Sequence, residues 1–172
     1  MQHVFFKPWV GNNFSEGGLW SKKVLILGES HYQWDENIPL TEDLTIQCVQ
    51  EQIAGGRTKA FWTNIVIALL NVRPSLKDKY RCWQSVAFYN YIQCSVGFGP
   101  RVRPSPEMWE KSQEPFFEVL NDLQPDCIIV LGYQLWDNLP CDGEEGPVID
   151  GAHGKRLGDT QSMVTHMHLP IT

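Results

Sequence analysis

Two short runs in this chain are apolar with almost no alternation. Lys23 to Leu27 reads Lys-Val-Leu-Ile-Leu and stops at Gly28, and Cys127 to Leu131 reads Cys-Ile-Ile-Val-Leu and stops at Gly132. Such runs predict strands buried on both faces, as in a parallel sheet covered by helices. Gln84 to Cys94 (QSVAFYNYIQC) is aromatic and β-branched, and its centre predicts a further strand. Elsewhere the apolar positions switch to helical spacing. Leu44, Cys48, Val49 and Ile53 predict a helix from Glu42 to Ile53 that Gly55-Gly56 stops, and a second is predicted over Ala60 to Leu70 with Pro74 beyond its end. Ser105-Pro106-Glu107 is a helix start with a capping hydroxyl, a proline suited to the first helical position and an acid that complements the dipole. That helix should bury Trp109, Phe116, Leu120 and Leu123. A short helix is expected around Gln134 to Leu139, a last strand over Met163 to Leu169, and a surface loop over Asp142 to Thr160, which is rich in glycine and charge.

Strands alternating with helices predict an α/β fold, three-layer α/β/α with a central, mostly parallel four-stranded sheet, formed by a single domain over residues 1–172. Ligands bind at the carboxyl edge of such a sheet. The segments to weigh are therefore Gly28 to Trp34, Asn90 to Arg103, Gly132 to Trp136 and His166 to Thr172.

A chain of 172 residues with 42% hydrophobic content can bury a core without disulfides or metals. The net charge of −6 argues against a protein that coats DNA by bulk electrostatics, so any nucleic-acid contact must be local. Five cysteines without a Cys-x-x-Cys pair read as buried thiols rather than a zinc or redox motif. The start, MQHVFFKPWVGNN, lacks the pattern of a secretory leader, and no stretch approaches the roughly 18 apolar residues of a membrane span. A cytoplasmic monomer with no membrane contact is the expectation.

Several residues on the segments named above carry usable chemistry. Glu29, Ser30, His31 and Tyr32 follow the first strand, where a carboxylate can be held against a reacting carbon or its attacking water. Glu29 could equally pair with Arg101 or Arg103. Gly28-x-Ser30 is half of a serine-hydrolase elbow, but Tyr32 stands where the closing glycine belongs. His166-x-His168 could offer two metal ligands, with His31 or Glu29 beside them, yet no third and fourth ligand follow at suitable spacing, and no metal is expected. Asn90 lies inside the run Ala87-Phe88-Tyr89-Asn90-Tyr91, and a buried amide must either staple backbone or read a ligand's donor and acceptor edge. Phe61-Trp62 could be core or could offer a ring for a base to stack on. Arg101 and Arg103 could grip phosphates.

In their order along the chain, these pieces resemble the uracil-DNA glycosylase superfamily. The likeness runs from Leu27-Gly28-Glu29 through Gly56-Arg57 and Phe61, Asn90, Arg101-Val102-Arg103-Pro104, and Pro125 to Gly132, to His168-Leu169-Pro170. The middle section is most similar to the iron–sulfur branch, an Asn-bearing strand followed by an Arg-Pro loop, a helix and a "Pro-x-x-Ile-x-x-Leu-Gly" strand. The four cluster cysteines of that branch are absent, so no iron–sulfur centre and no other cofactor is expected. Ser30 stands where the best-known members carry the water-activating Asp, and Leu169 separates the final His from Pro.

The resemblance implies hydrolysis of the N-glycosidic bond of a flipped-out uracil or modified base in single- or double-stranded DNA. Phe61 would stack on the base, Asn90 would hydrogen-bond its pairing edge with Ser30 beside it, and His168 would donate to the oxygen where charge builds. Glu29, with Tyr32, would position water or offset the sugar cation, and His31 is a further polar participant. Arg101 and Arg103 would hold flanking phosphates. The altered motifs leave an alternative, a glycosylase-fold module that binds a nucleotide, nucleic acid or protein partner without cleaving.

Overall fold

The computed structural model describes residues 1–33, 35, 37–55, 60–99 and 102–140, and the strand at 162–165. Within it, Val24–Gly28 forms a strand (β2) with all five residues buried, and Val86–Asn90 forms another (β3) buried in the same way. Cys127–Leu131 is the third long strand (β4). A two-residue strand, Trp9–Val10 (β1), and Ser162–Thr165 (β5) complete a five-stranded sheet of order β1-β3-β2-β4-β5. β2 pairs in parallel with β3 and with β4, whereas β1 runs antiparallel to β3 and β5 antiparallel to β4.

The α/β class is as expected, but the sheet is mixed and has five strands rather than four. Parallel pairing is confined to the three central strands. β1 is too short to leave a two-residue period in the sequence. The direction of β5 depends on the path from β4, and residues 141–161 of that path, which include the expected loop Asp142 to Thr160, lie outside those described.

The unbroken apolar runs are explained by what covers the sheet. Leu25, Leu27, Ala87, Tyr89, Ile128 and Val130 share one core with Trp109, Phe116, Val119 and Leu120. Their neighbours Val24, Ile26, Val86, Phe88 and Ile129 share a second core with Val49, Trp62, Val66 and Trp83. With side chains alternating across the sheet, both faces need apolar residues.

The first helix, Leu44–Ile53 (α1), buries Thr45, Val49 and Gln52, so its inner stripe is rotated from the one the apolar spacing suggests. The second, α2, spans Ala60–Leu70 as expected. A helix at Leu76–Trp83 (α3) is an addition; its charged sequence hides an inner face of Cys82 and Trp83. It is started by a capping box in which Ser75 Oγ accepts from Asp78 N (3.2 Å) and Asp78 Oδ2 accepts from Ser75 N (2.9 Å). Ser75→Ala is expected to cost about 1 kcal/mol in urea unfolding, with Ser75→Asp restoring most of it. Equal stability of all three would show that α3 is held by packing alone.

The single helix expected after Ser105 is two, Pro106–Lys111 (α4) and Gln113–Leu123 (α5). Buried Ser112 breaks them, donating to Met108 O (2.8 Å) and accepting from Gln93 N (3.3 Å). Ser105 caps α4 as predicted, accepting from Met108 N. Trp109, Phe116 and Leu120 are buried, while Leu123 is half-buried. Tyr133–Asp137 forms the last helix (α6). Of the cysteines, Cys82 and Cys127 are buried, and burial pushes the Cys82 thiol up to about 12. Cys94 is exposed, contrary to the expectation of buried thiols, and Cys141 lies outside the described residues. No helix among the described residues is long and apolar enough to cross a membrane.

Candidate functional site

Because β2 and β3 run parallel in register, Gly28 lies opposite Asn90 at the carboxyl edge. The pairing continues past the strands, with Tyr91 N donating to Gly28 O and Ile92 N to Glu29 O, each at 2.9 Å. The turn after β2 is therefore held against the segment after β3. Four residues on, Gln33 N donates to Gly97 O (3.2 Å) and Gly99 N to Gln33 O (3.1 Å). This strap holds Phe98 half exposed between two glycines with positive φ, 120° at Gly97 and 80° at Gly99.

The two-residue period puts Asn90 on the same face of β3 as Phe88, the face that α1 and α2 cover. Its side chain crosses directly over Gly28. A Cβ at position 28 would fall 2.3 Å from Asn90 Oδ1 and 3.1 Å from Phe88 Cζ, so only glycine leaves the amide in this place. Asn90 Nδ2 donates to His31 Nε2 (3.0 Å), and Thr45 Oγ1 of α1 lies 2.8 Å from the same nitrogen. Asn90, His31 and Thr45 are 6%, 7% and 0% exposed. The Phe6 ring packs edge-on against the imidazole with centroids 4.8 Å apart. Burial pushes the His31 imidazole down to about 4, so it is neutral at neutral pH and can accept from the Asn90 amide. The backbone of Asn90 is pinned as well. Gln93 Nε2 donates to Asn90 O (2.7 Å) while Gln93 Oε1 accepts from Phe6 N (2.8 Å).

Glu29 faces Arg103, whose Nη1 straddles both carboxylate oxygens at 3.3 Å. These bonds are longer than the roughly 2.7–2.9 Å of a tight charge-assisted pair. Arg103 is also 59% exposed, so the pair is worth at most about 1 kcal/mol and a phosphate can displace it. Ser30 Oγ is buried and has no hydrogen-bond partner, and hence no general base touching it, among the described residues, so the hydrolase reading gains no support. Tyr32 is half-buried against the core that contains Tyr91 and Trp109. Phe61, at the start of α2 and 36% exposed, packs edge-on to Phe88 with centroids 6.5 Å apart. It thus reaches the face that bears Asn90 through one intervening ring.

Glu29, Ser30, His31, Asn90 and Arg103 consequently lie at one edge, while Phe61 packs on Phe88, two residues before Asn90. Arg101, His166 and His168 lie outside the described residues, as do Trp34, Gly56-Arg57 and Leu169-Pro170. Among the described residues no cluster of His, Cys, Asp or Glu has the make-up to hold a metal ion. Sequence reasoning missed Thr45 and Gln93. The signal for Thr45 was its place on the buried stripe of α1, four residues before Val49. For Gln93 it was a second amide three residues beyond the first.

No family model, no curated protein and no solved structure matches the chain.

Proposed function

We infer that the chain is a divergent member of the uracil-DNA glycosylase superfamily, a DNA glycosylase-like enzyme that removes a flipped-out uracil or modified base. In this reading the helices form the outer layers of a three-layer α/β/α domain that acts as a cytoplasmic monomer on DNA, gripped locally. The observation that carries it is a buried amide, Asn90, held at the carboxyl edge beside a carboxylate, Glu29, and a buried hydroxyl, Ser30, that has no hydrogen-bond partner among the described residues. Polar groups so costly to bury are kept where a ligand uses them.

The chemistry follows from those groups. The C1′–N bond breaks with its electron pair passing to the base, water bonds to C1′, and the water's proton goes to Glu29. Asn90 hydrogen-bonds the base, Phe61 stacks on it, and His168 donates to the oxygen that gains charge. A DNA phosphate draws Arg103 away from Glu29, releasing the carboxylate as the strand binds. Tyr32 closes the turn beneath the sugar, and Arg101 extends the phosphate grip.

The test uses single- and double-stranded oligonucleotides carrying uracil, hypoxanthine, or hydroxymethylated or glucosylated cytosine, with abasic sites then cleaved by alkali. Strand breaks are expected for at least one base, falling about a hundredfold in Asn90→Ala. The Glu29–Arg103 pair, which occupies the carboxylate, favours a second reading, a binding module without catalysis. Measurable binding with no breaks on any substrate supports the module and ends the enzymatic reading.

A further inference from the structure

The charge of this chain is unevenly spread. Between Asn71 and Trp83 stand four basic residues, Arg73, Lys77, Lys79 and Arg81, and one acid, Asp78, although the whole chain carries −6. That acid is engaged by the start of α3, where Ser75 N and Ser75 Oγ both donate to its carboxylate. Arg73, Lys77 and Arg81 are exposed, and none of the three forms an ion pair among the described residues. A large apolar or aromatic residue precedes each of them in the chain. These residues, Val72, Leu76 and Tyr80, are about half exposed.

Four-residue spacing puts Leu76 and Tyr80 side by side on α3, with Lys77 and Arg81 in the adjoining row. The helix that carries them is fixed at both ends. Ser75 caps its start, and Trp83 is fully buried at its end, where Trp9 Nε1 donates to Trp83 O (2.7 Å). A face held this firmly loses little freedom when it is covered.

We propose that this outer face of α3 binds single-stranded nucleic acid, with Arg73, Lys77 and Arg81 on phosphates of the strand and a base stacked on Tyr80. The interleaving of charge and apolar surface is what selects the partner. Protein interfaces gather their apolar residues into a centre depleted of charge, and here every apolar residue has a cation next to it. A polynucleotide strand alternates charge and flat apolar surface in the same way, and sequence-tolerant binders meet it with cations set around aromatic rings. The face is separate from the candidate site. α3 enters β3 at the amino end of that strand, through Gln84 and Ser85, whereas Asn90 lies at its carboxyl end. A strand can therefore be held here whether or not a base is removed at the other edge.

The experiment measures binding of the full chain to oligo-dT and oligo-rU of about ten nucleotides by fluorescence anisotropy over a salt series. Wild type should bind at least one of them at low salt, and the tighter identifies the strand as DNA or RNA. Each phosphate contact on a single strand adds about 0.7 to the slope of log affinity against log salt, so changing Arg73, Lys77 and Arg81 together to Gln should lower that slope by about 2. The drop should be the same in an Arg103→Gln background, because Arg103 lies at the other edge. Tyr80→Ala should weaken binding about tenfold, and Tyr80→Phe should retain it. Amide NMR of wild type with the tighter oligonucleotide should move the signals of Leu76 to Arg81, a readout that needs no variant to fold. No binding of either strand, an unchanged slope, full affinity in Tyr80→Ala, or shifts confined to Gly28 to Tyr32 overturns the proposal. Tighter binding of poly-glutamate of the same charge, or of phosphatidylserine vesicles, overturns it too, and makes the face a dock for an acidic polypeptide or a lipid surface.

Discussion

Gly28→Ala is expected to reduce base reading to the level of Asn90→Ala while the protein still folds. The new methyl group would sit 2.3 Å from Asn90 Oδ1, so the amide must swing away from His31 and leave a buried ring nitrogen with one partner fewer. Crowding of this kind costs about 1–3 kcal/mol. The sharper test is a cycle, because the two side chains compete for one volume and their effects cannot add. In an Asn90→Ala background the clash with Oδ1 is gone and Phe88 Cζ at 3.1 Å is the nearest neighbour of the methyl, so the same substitution should cost much less. Urea unfolding of wild type, both single variants and the double variant measures this. An equal cost of Gly28→Ala in both backgrounds would mean that Asn90 does not lie over the glycine.

Stability should also fall steeply as the pH drops from 6.5 to about 4, and His31 should account for about 3 kcal/mol of the loss. In the unfolded chain the imidazole takes up a proton near its ordinary 6.5; folded, it resists until about 4. Between those values the unfolded state binds more protons, so acid favours unfolding. Above 6.5 the contribution is fully present, and below about 4 the loss does not grow further. Thr45, Asn90 and Phe6 face the ring, and none of them is a charge that could hold the imidazolium. His31→Gln keeps a neutral acceptor for the Asn90 amide and removes the titration. Its unfolding free energy, measured by urea at a series of pH values, should vary less than that of wild type across this window. Parallel curves for the two proteins would show that the ring is not sequestered from water.

The sequence was most legible where physical constraints were strongest. β4 and α2 have the expected ends, β3 lies within the expected run, and β2 is shifted by one residue from Lys23–Leu27 to Val24–Gly28, because a strand covered on both faces admits little but aliphatic and aromatic residues. Glycine then marks where β2 and β4 give way to the turn. β1 was invisible at two residues. α3 was hidden by its charges, although Pro74-Ser75 with Asp78 three residues on was a readable start. The rotation of α1 shows a different limit. Apolar spacing pointed to Leu44, Cys48, Val49 and Ile53, but Thr45 and Gln52 are the polar residues that face inward. Thr45 does so because a histidine from another segment awaits its hydroxyl, and a long-range partner leaves no local trace.

The site shows the same division. Asn90 stood out as an amide in an apolar run, and Glu29, Ser30 and His31 by their place after a strand. The bond between His31 and Asn90 joins residues 59 positions apart, and periodicity does not reveal such pairs. Arg103 was weighed both as a phosphate grip and as a partner of Glu29, and it takes the second place here while remaining exposed enough to change roles.

Phe6 comes from outside the alternation of strands and helices, yet its ring covers His31 and its main chain holds Gln93. The first few residues are also tethered at both ends, through Glu118 to His3 and Glu42 to Lys7. The leading segment thus works as a stopper over the imidazole, and losing it would hydrate the ring that holds the Asn90 amide. A fusion partner or a shortened start at this end would alter the surroundings of His31 and Asn90 at a distance, even if every strand and helix stayed intact.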